Sequence, residues 1–465
     1  MAGMDTVVTA LRSALADPDG TVVRTDPAVL DAARTDKSGW TAPGGPVAVV
    51  EARSVADVQA VLRTCSAARV PVVPRGAGTG LAGGANGTEG SVVLSVARMD
   101  RIIEVSVADE YAVVEPGVLN GALDAAVAAH GLRFAPDPAS AAISTVGGNI
   151  ATNAGGLRCV KYGVTREAVL GLDVVLADGR LVSTGRRTVK GVTGLDLTAL
   201  FVGSEGTLGV VVGATVRLVP LPAGAPATLG AVFPTVADAA RGAAAVVTGA
   251  SRPSTVELLD AAALAGIAAH LGPQVLTETL GSSSADGAFL LVEFDGPDAA
   301  QAALGAAPRL QAEGGTVHHA TSAVERERLL TVRRSFHPAM EARGRVLIED
   351  VAVPRSRLAE MFERVEAIGR RHGVAIPTVA HAGDGNLHPN FVFAGDEVPA
   401  HVWAAADELF RAAIDLGGTL TGEHGVGVLK RRWLGDELGD DVLDLQRGVK
   451  AMFDPLGILN PGKAI

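Results

Sequence analysis

Two histidines bracket a glycine-rich turn, His381-Ala-Gly-Asp-Gly-Asn-Leu-His388, and a second motif, Gly422-Glu423-His424-Gly425, follows downstream. Imidazole and carboxylate groups both bind zinc-like divalent ions. His381, His388 and Glu423 make a three-ligand set that leaves coordination positions open for a substrate. His424 is then spare, and an imidazole that titrates near neutral pH can serve as a base. Adjacent residues of a straight strand point to opposite faces, so Glu423 and His424 can share one site only through a turn, which Gly422 and Gly425 permit. The zinc-hydrolase helix signature is absent, because Glu423-His424 runs on into Gly-Val-Gly.

Such residues need a scaffold. In the first half, short β-branched runs alternate with amphipathic helices: strands near 47–50, 70–74, 90–96, 102–107 and 111–115, and helices near 55–69 and 119–130. Residues 170–176 and 180–183 flank Ala177-Asp178-Gly179, a hairpin signal, and 206–219 supply further strand. Pro220-Leu-Pro-Ala-Gly-Ala-Pro226 reads as a linker. Beyond it come strands near 231–233, 255–259, 289–294, 316–319 and 346–353, with one on either side of Gly383-Asp384-Gly385. Helices are expected near 237–247, 299–311, 324–343, 355–372 and 400–416. The pattern predicts an α+β chain whose second half is a sheet with its helices on one face.

With 465 residues, 48% of them apolar and 20% charged, the chain can build two or three well-buried domains. A net charge of −11 without a basic tract excludes nucleic acid as a natural partner. Cys65 and Cys159 are the only cysteines, too few for a disulfide framework or an iron–sulfur cluster, and a reducing cytoplasm fits. The start, MAGMDTVVTALRSALAD, lacks the basic and apolar blocks of a signal peptide, and no apolar run reaches membrane-spanning length. The expectation is a cytoplasmic protein without a transmembrane segment, peripheral contact with a membrane surface being left open.

Three glycine-rich pieces suggest a bound anion. Arg75-Gly76-Ala77-Gly78-Thr79-Gly80-Leu81 follows a strand, and glycines let successive backbone N–H groups converge on a phosphate. A dinucleotide-binding Rossmann turn would open directly into a helix, whereas this loop continues through Gly, Asn and Thr into the strand near 90–96. The second piece runs from Pro138 through Thr145, Gly147, Gly148, Asn149, Ala151, Thr152, Asn153 and Gly155, then Lys161-Tyr162-Gly163. Its small residues, amides and hydroxyls suit a flat polar ligand. Glu205-Gly206-Thr207-Leu208-Gly209-Val210-Val211 has the same character.

In this order the three pieces resemble the flavin-binding domain of the vanillyl-alcohol oxidase and p-cresol methylhydroxylase (PCMH) family, over about residues 40–220. The resemblance implies a PCMH-type FAD domain of two α/β subdomains, with the FAD pyrophosphate on the loop Arg75–Leu81. The second piece would line adenosine and flavin, and Glu205, Gly209, Val210 and Val211 would complete the pocket. Some members tether FAD through a histidine in the first loop. Gly78-Thr79-Gly80 has none, so the FAD is expected to be non-covalent.

HAGDGNLHPN and TGEHGVG resemble the C-terminal domain of FAD-linked D-2-hydroxyacid dehydrogenases, over about residues 230–465. This implies a ferredoxin-like α+β domain with an antiparallel sheet. The expected division is an FAD domain over 1–221, a substrate and metal domain over 222–452, and a tail over 453–465 that returns to the FAD domain and contributes Asn460. The resemblance gives His381, His388 and Glu423 to a divalent metal (zinc first, manganese or iron as alternatives), His424 to catalysis, and Arg333, His337 and Asn390 to the substrate. A lysine that one branch uses for a distal carboxylate falls at Ile348, which favours lactate, glycolate or a bulkier 2-hydroxy acid over 2-hydroxyglutarate. The expected reaction is oxidation of a D-2-hydroxy acid to the 2-oxo acid. The hydride passes to flavin N5, and electrons leave to a separate acceptor (a quinone, a cytochrome or an electron-transfer flavoprotein). A homodimer is compatible with this. The rivals are a metal-independent FAD alcohol or sugar oxidase, a non-redox metal hydrolase, and a flavin subunit acting mainly in assembly.

Overall fold

The computed structural model describes residues 2–281 and 287–465, and the chain folds as two units. The first takes in the chain up to Gly155, then Gly163–Leu221 and Glu423–Ile465; the second takes in Gly156–Tyr162 and Pro222–Gly422.

The first unit holds two sheets. One has the strand order Val23–Arg24, Ala48–Glu51, Val92–Ser95, Val72–Arg75, and its last three strands run parallel. The helix Val55–Ala68 crosses over this sheet. Ser54 starts it by accepting the Asp57 N–H, Arg69 ends it in a left-handed conformation, and Val58, Val61, Leu62 and Cys65 fill its buried stripe. The other sheet is antiparallel, in the order Ile102–Ser106, Tyr111–Val114, Val210–Arg217, Val169–Val175, Leu181–Gly185. The 170s hairpin and the pairing of the 102 and 111 strands match the expectation from alternation. Each sheet has its own buried cluster, one around Val50, Val92 and Leu94, the other around Leu172, Val174 and Phe201.

The second unit is built on one antiparallel sheet. Its strands lie in the order Thr316–His319, Ala227–Phe233, Ala288–Phe294, Thr255–Leu259, Thr378–His381, Asn386–Phe393, Arg345–Ile348, and Val351–Ala352 also pairs with Asn386–Phe393. Every residue of Thr255–Leu259, Ala288–Phe294 and Thr378–His381 is buried, so these central strands are covered on both faces. That differs from the single helical layer expected. Leu259, Phe289, Leu291 and Val379, which share a face by strand alternation, pack against the helices Ala261–Leu271, Ala323–Arg334 and Phe336–Glu341.

Two further differences have local causes. The helix expected over 324–343 breaks at Ser335 into Ala323–Arg334 and Phe336–Glu341. In an unbroken helix the Pro338 ring would collide with the carbonyl of Arg334, whereas in the first turn of a new helix proline is tolerated. Within the second glycine-rich piece, Val146–Thr152 forms a short helix. Thr145 caps it by accepting the Gly148 N–H at 3.1 Å, and Asn153 ends it in a left-handed conformation. Among the described residues, no helix is long and apolar enough to cross a membrane.

Candidate active site

A cleft in the first unit gathers the three glycine-rich pieces. It is lined by Arg75 to Leu81, by Pro138, Thr145, Gly147, Gly148, Asn149, Ala151, Thr152 and Gly155, and by Glu205, Gly209, Val210 and Val211. Its empty space, open mouth included, is about 1370 Å³. Glu423 and His424 also line it. The Glu-His pair is not in a strand: Gly425 has φ +84°, and the turn presents both side chains to one cleft, with His424 Nε2 4.0 Å from Glu423 Oε1.

Two residues expected at the cofactor lie off the cleft wall. The Asn153 side chain accepts the Arg166 N–H at 2.9 Å. Asn460 works from behind the loops, its Nδ2 donating to the carbonyls of Gly84 and Glu205 at 3.0 and 2.8 Å.

The loops are close-packed as well as glycine-rich. A Cβ on Gly76 would fall 2.5 Å from Thr145 Oγ1, and one on Gly147 would fall 2.5 Å from Pro116 Cβ. Arg75 folds back under Gly78 and donates to the carbonyls of Ala85 and Thr35 at 2.9 Å each. Its guanidinium therefore braces the loop. Burial lowers the Arg75 pKa, and the Asp36 charge opposes the shift. Beside it, burial raises Asp36, against hydrogen bonds from Ser38 and the charge of Arg75.

Glu205 fastens the turn that carries His424. Its carboxylate accepts the N–H groups of Val426 and Gly427 at 2.7 and 2.9 Å. Burial pushes its pKa up, while those two hydrogen bonds and the charges of Lys430 and Lys463 pull it down. Burial brings Lys463 down to about 8, with Asp36 and Glu205 opposing.

The second unit assembles another group on one face of its sheet. His381 stands directly across from Glu257 on one neighbouring strand and from Asn386 on the other. His388 and Asn390 follow Asn386 at two-residue steps, so all three project from the same face. The His381 and His388 rings lie 4.9 Å apart between centroids, inclined at 80°, and both residues are buried. Asn390 is fully buried. Its Nδ2 donates to the His388 carbonyl at 2.9 Å, and its Oδ1 has no hydrogen-bond partner among the described residues. Arg333, at the end of the helix Ala323–Arg334, donates through Nε to Glu257 at 2.6 Å. His337 lies in the next helix with its ring 5.3 Å from that of Phe336.

Sequence reasoning passed over Glu257, although a lone charge in Thr-Val-Glu-Leu-Leu was a signal. Lys161 and Tyr162, read with the flavin loop, instead belong to the second unit, where both bond to Asp295. Gly422, the last residue of that unit, donates its N–H to Asp350 at 2.7 Å. The next peptide fixes the Glu423 Cα about 3.8 Å further along the chain.

Residues 46–185 match the FAD binding domain family, and residues 225–464 match the FAD linked oxidases, C-terminal domain family. The chain is 41% identical to glycolate oxidase subunit GlcD of Bacillus subtilis, covering 90% of this chain and 88% of that one. It is 38% identical to D-lactate dehydrogenase of Archaeoglobus fulgidus, covering 90% and 91%. Among solved structures, substrate-bound p-cresol methylhydroxylase matches 100% of this chain and 97% of its own with a TM-score of 0.80 at 18% identity. The 4-ethylphenol oxidase of Gulosibacter chungangensis matches the same shares with 0.77, also at 18%. These two show the fold, which is the PCMH type. With its FAD-binding cleft and its oxidase C-terminal domain, the chain belongs to the FAD-linked oxidoreductases of the glycolate oxidase and D-lactate dehydrogenase family.

Proposed function

We propose that this enzyme oxidises a small D-2-hydroxy acid of the lactate or glycolate kind to its 2-oxo acid, using non-covalent FAD and a divalent ion held by His381, His388 and Glu423. The observation that carries the reading is that His424, an imidazole, lines the cleft formed by the flavin loops. A base there can reach a substrate presented to the flavin. The donor set also fits a divalent ion. His381 and His388 are buried neighbours, and the Nδ1 of His381 lies 2.6 Å from Glu257, the kind of outer carboxylate contact that orients a metal-binding imidazole. Glu423 is tied by one peptide to Gly422 and supplies the carboxylate.

In this scheme Arg333 grips the substrate carboxylate. Its Nε is engaged by Glu257, and its two terminal nitrogens present the planar fork that matches a carboxylate. Asn390 offers its amide oxygen, which has no partner among the described residues, to the substrate hydroxyl. His424 takes the hydroxyl proton, and the turn pinned by Glu205 keeps its ring in place. A divalent ion held by His381, His388 and Glu423 would supply the charge that acidifies the hydroxyl, and FAD in the glycine-lined cleft would supply the hydride acceptor, its N5. With only two cysteines the chain has no iron–sulfur relay, so electrons leave to a separate acceptor of the quinone, cytochrome or electron-transfer flavoprotein kind. Zinc suits the imidazole-rich set, with manganese or iron as alternatives.

The test is anaerobic bleaching of the flavin by a panel of D- and L-2-hydroxy acids. D-Lactate or glycolate should bleach it, and exhaustive chelation should abolish the reaction. His424→Ala should keep FAD and metal and lose about 10²–10⁴ in the reduction rate. Bleaching at the normal rate in that variant removes the base assignment, and full activity after chelation favours the metal-independent alcohol oxidase.

A further inference from the structure

Glu257 is the one charged residue of the strand Thr255–Leu259, and it is completely buried. An isolated carboxylate in such a place is costly unless its oxygens are matched by donors. Both are matched. Oε1 lies 2.6 Å from His381 Nδ1, and Oε2 lies 2.6 Å from Arg333 Nε. The first contact follows from strand register, since Glu257 and His381 are direct cross-strand partners. The second comes from the helix that covers this face of the sheet.

A carboxylate offers only acceptors, so the atom it meets on the imidazole must carry hydrogen. In the neutral ring that a metal requires, this contact places the hydrogen on His381 Nδ1 and makes Nε2 the ligating nitrogen. We infer that Glu257 is a positioning residue that acts through two others: it sets the tautomer and ring angle that make His381 a metal ligand, and it holds the guanidinium of Arg333 in the plane that receives the substrate carboxylate. One buried side chain would thus couple the metal site to substrate recognition. The inference rests on the metal reading proposed above.

The same contact tells what a neutral isostere would do. In Glu257→Gln, an amide oxygen turned to Arg333 leaves the NH2 facing His381. Nδ1 must then accept, and the ring hydrogen moves to Nε2, the coordinating atom. If the amide turns the other way, two donors face each other at Arg333. Either way one function fails.

The experiment uses the FAD-loaded enzyme and zinc alone as probe, with affinity read by competition against a chelator. Glu257→Gln should lower zinc affinity about 10–100-fold while flavin content is retained. It should also raise the KM for the 2-hydroxy acid, and Glu257→Asp should recover part of both losses. ¹⁵N-histidine NMR of the zinc-free wild type gives a readout that no folding defect can imitate. The signal that disappears in His381→Ala should be an Nδ1–H form. An Nε2–H form there, or unchanged zinc affinity in Glu257→Gln while His381→Ala loses zinc, overturns the inference and leaves the metal reading standing. If His381→Ala keeps its zinc, the metal reading falls as well. Should Glu257→Gln fail to fold, the wild-type tautomer decides alone.

Discussion

Gly76→Ala is a sharp test of how the cleft is built, because the added methyl group has a single obstacle. Its Cβ would sit 2.5 Å from Thr145 Oγ1, where ordinary contact begins near 3.4 Å, so something must move by about 0.9 Å. The other near atoms belong to Gly148 and lie at 3.6 Å and beyond. If Thr145 yields, the helix Val146–Thr152 loses the cap that accepts the Gly148 N–H, at a cost of about 1 kcal/mol. If the loop yields instead, its backbone shifts within the cleft, and overpacking of this kind costs about 1–3 kcal/mol. Both routes tax FAD binding, so the dissociation constant should rise about 5–150-fold. Titration of the flavin-free protein with FAD, followed by flavin fluorescence, measures it. Thr145→Ala alone should cost about fivefold. The double variant Gly76→Ala with Thr145→Ala, in which the obstacle is gone, should return to within a few-fold of Thr145→Ala. That is a coupling of about 1–2 kcal/mol, well outside the additivity of independent sites. Losses that simply add in the double variant would refute the steric reasoning.

Other predictions follow from single contacts. Gly78→Ala forces a left-handed conformation (φ +70°) on alanine and displaces the Arg75 guanidinium from the carbonyls of Ala85 and Thr35. With about 1–2 kcal/mol of strain plus weakened charged hydrogen bonds, FAD affinity should drop at least about tenfold. Wild-type flavin content after dialysis would contradict this. Burial raises Asp260 to about 7, against hydrogen bonds from Ala263 and Thr378. A carboxyl raised on folding contributes stability that is complete below its unfolded pKa and is lost as pH climbs through the folded value. Asp260→Asn should therefore gain on wild type by on the order of 4 kcal/mol between pH 4 and 7.5, read from urea midpoints; a difference that stays flat with pH would exclude the raised carboxyl. Acid or denaturant should release all yellow colour from the polypeptide, since Gly78-Thr79-Gly80 has no histidine to form a covalent link.

Much of the cleft was legible because glycine, asparagine and threonine are grouped in ways that core or surface segments seldom need. The histidine and glutamate motifs stood out for the same reason. Glu257 was harder to see. Its role depends on a register that joins residue 257 to residue 381, and nothing local to Thr255–Leu259 announces a partner so far along the chain. The short helix Val146–Thr152 contains two glycines and would be marginal in isolation, so propensity argued against it; Thr145 and Asn153, the caps, were the available signals. The break at Ser335 was readable from Pro338 but was outweighed by the apolar period running through it. Two memberships are matters of tertiary packing that composition does not reveal. Gly156–Tyr162 joins the second unit, and the first unit resumes at Glu423.

The last of these bears on how the protein is made. Val72, at the start of the strand leading into the first glycine loop, is bridged by Leu459, and its carbonyl accepts the Asn460 N–H at 2.8 Å. Roughly 390 residues of synthesis separate the two ends of that contact, about 20–80 s at ordinary ribosomal speeds. Until then the cleft lacks the Asn460 brace, and for most of that time it lacks Glu423 and His424 as well, so the nascent chain carries an unfinished nucleotide site. A chain cut just before Leu459 should therefore purify with less flavin than one that carries Leu459 and Asn460.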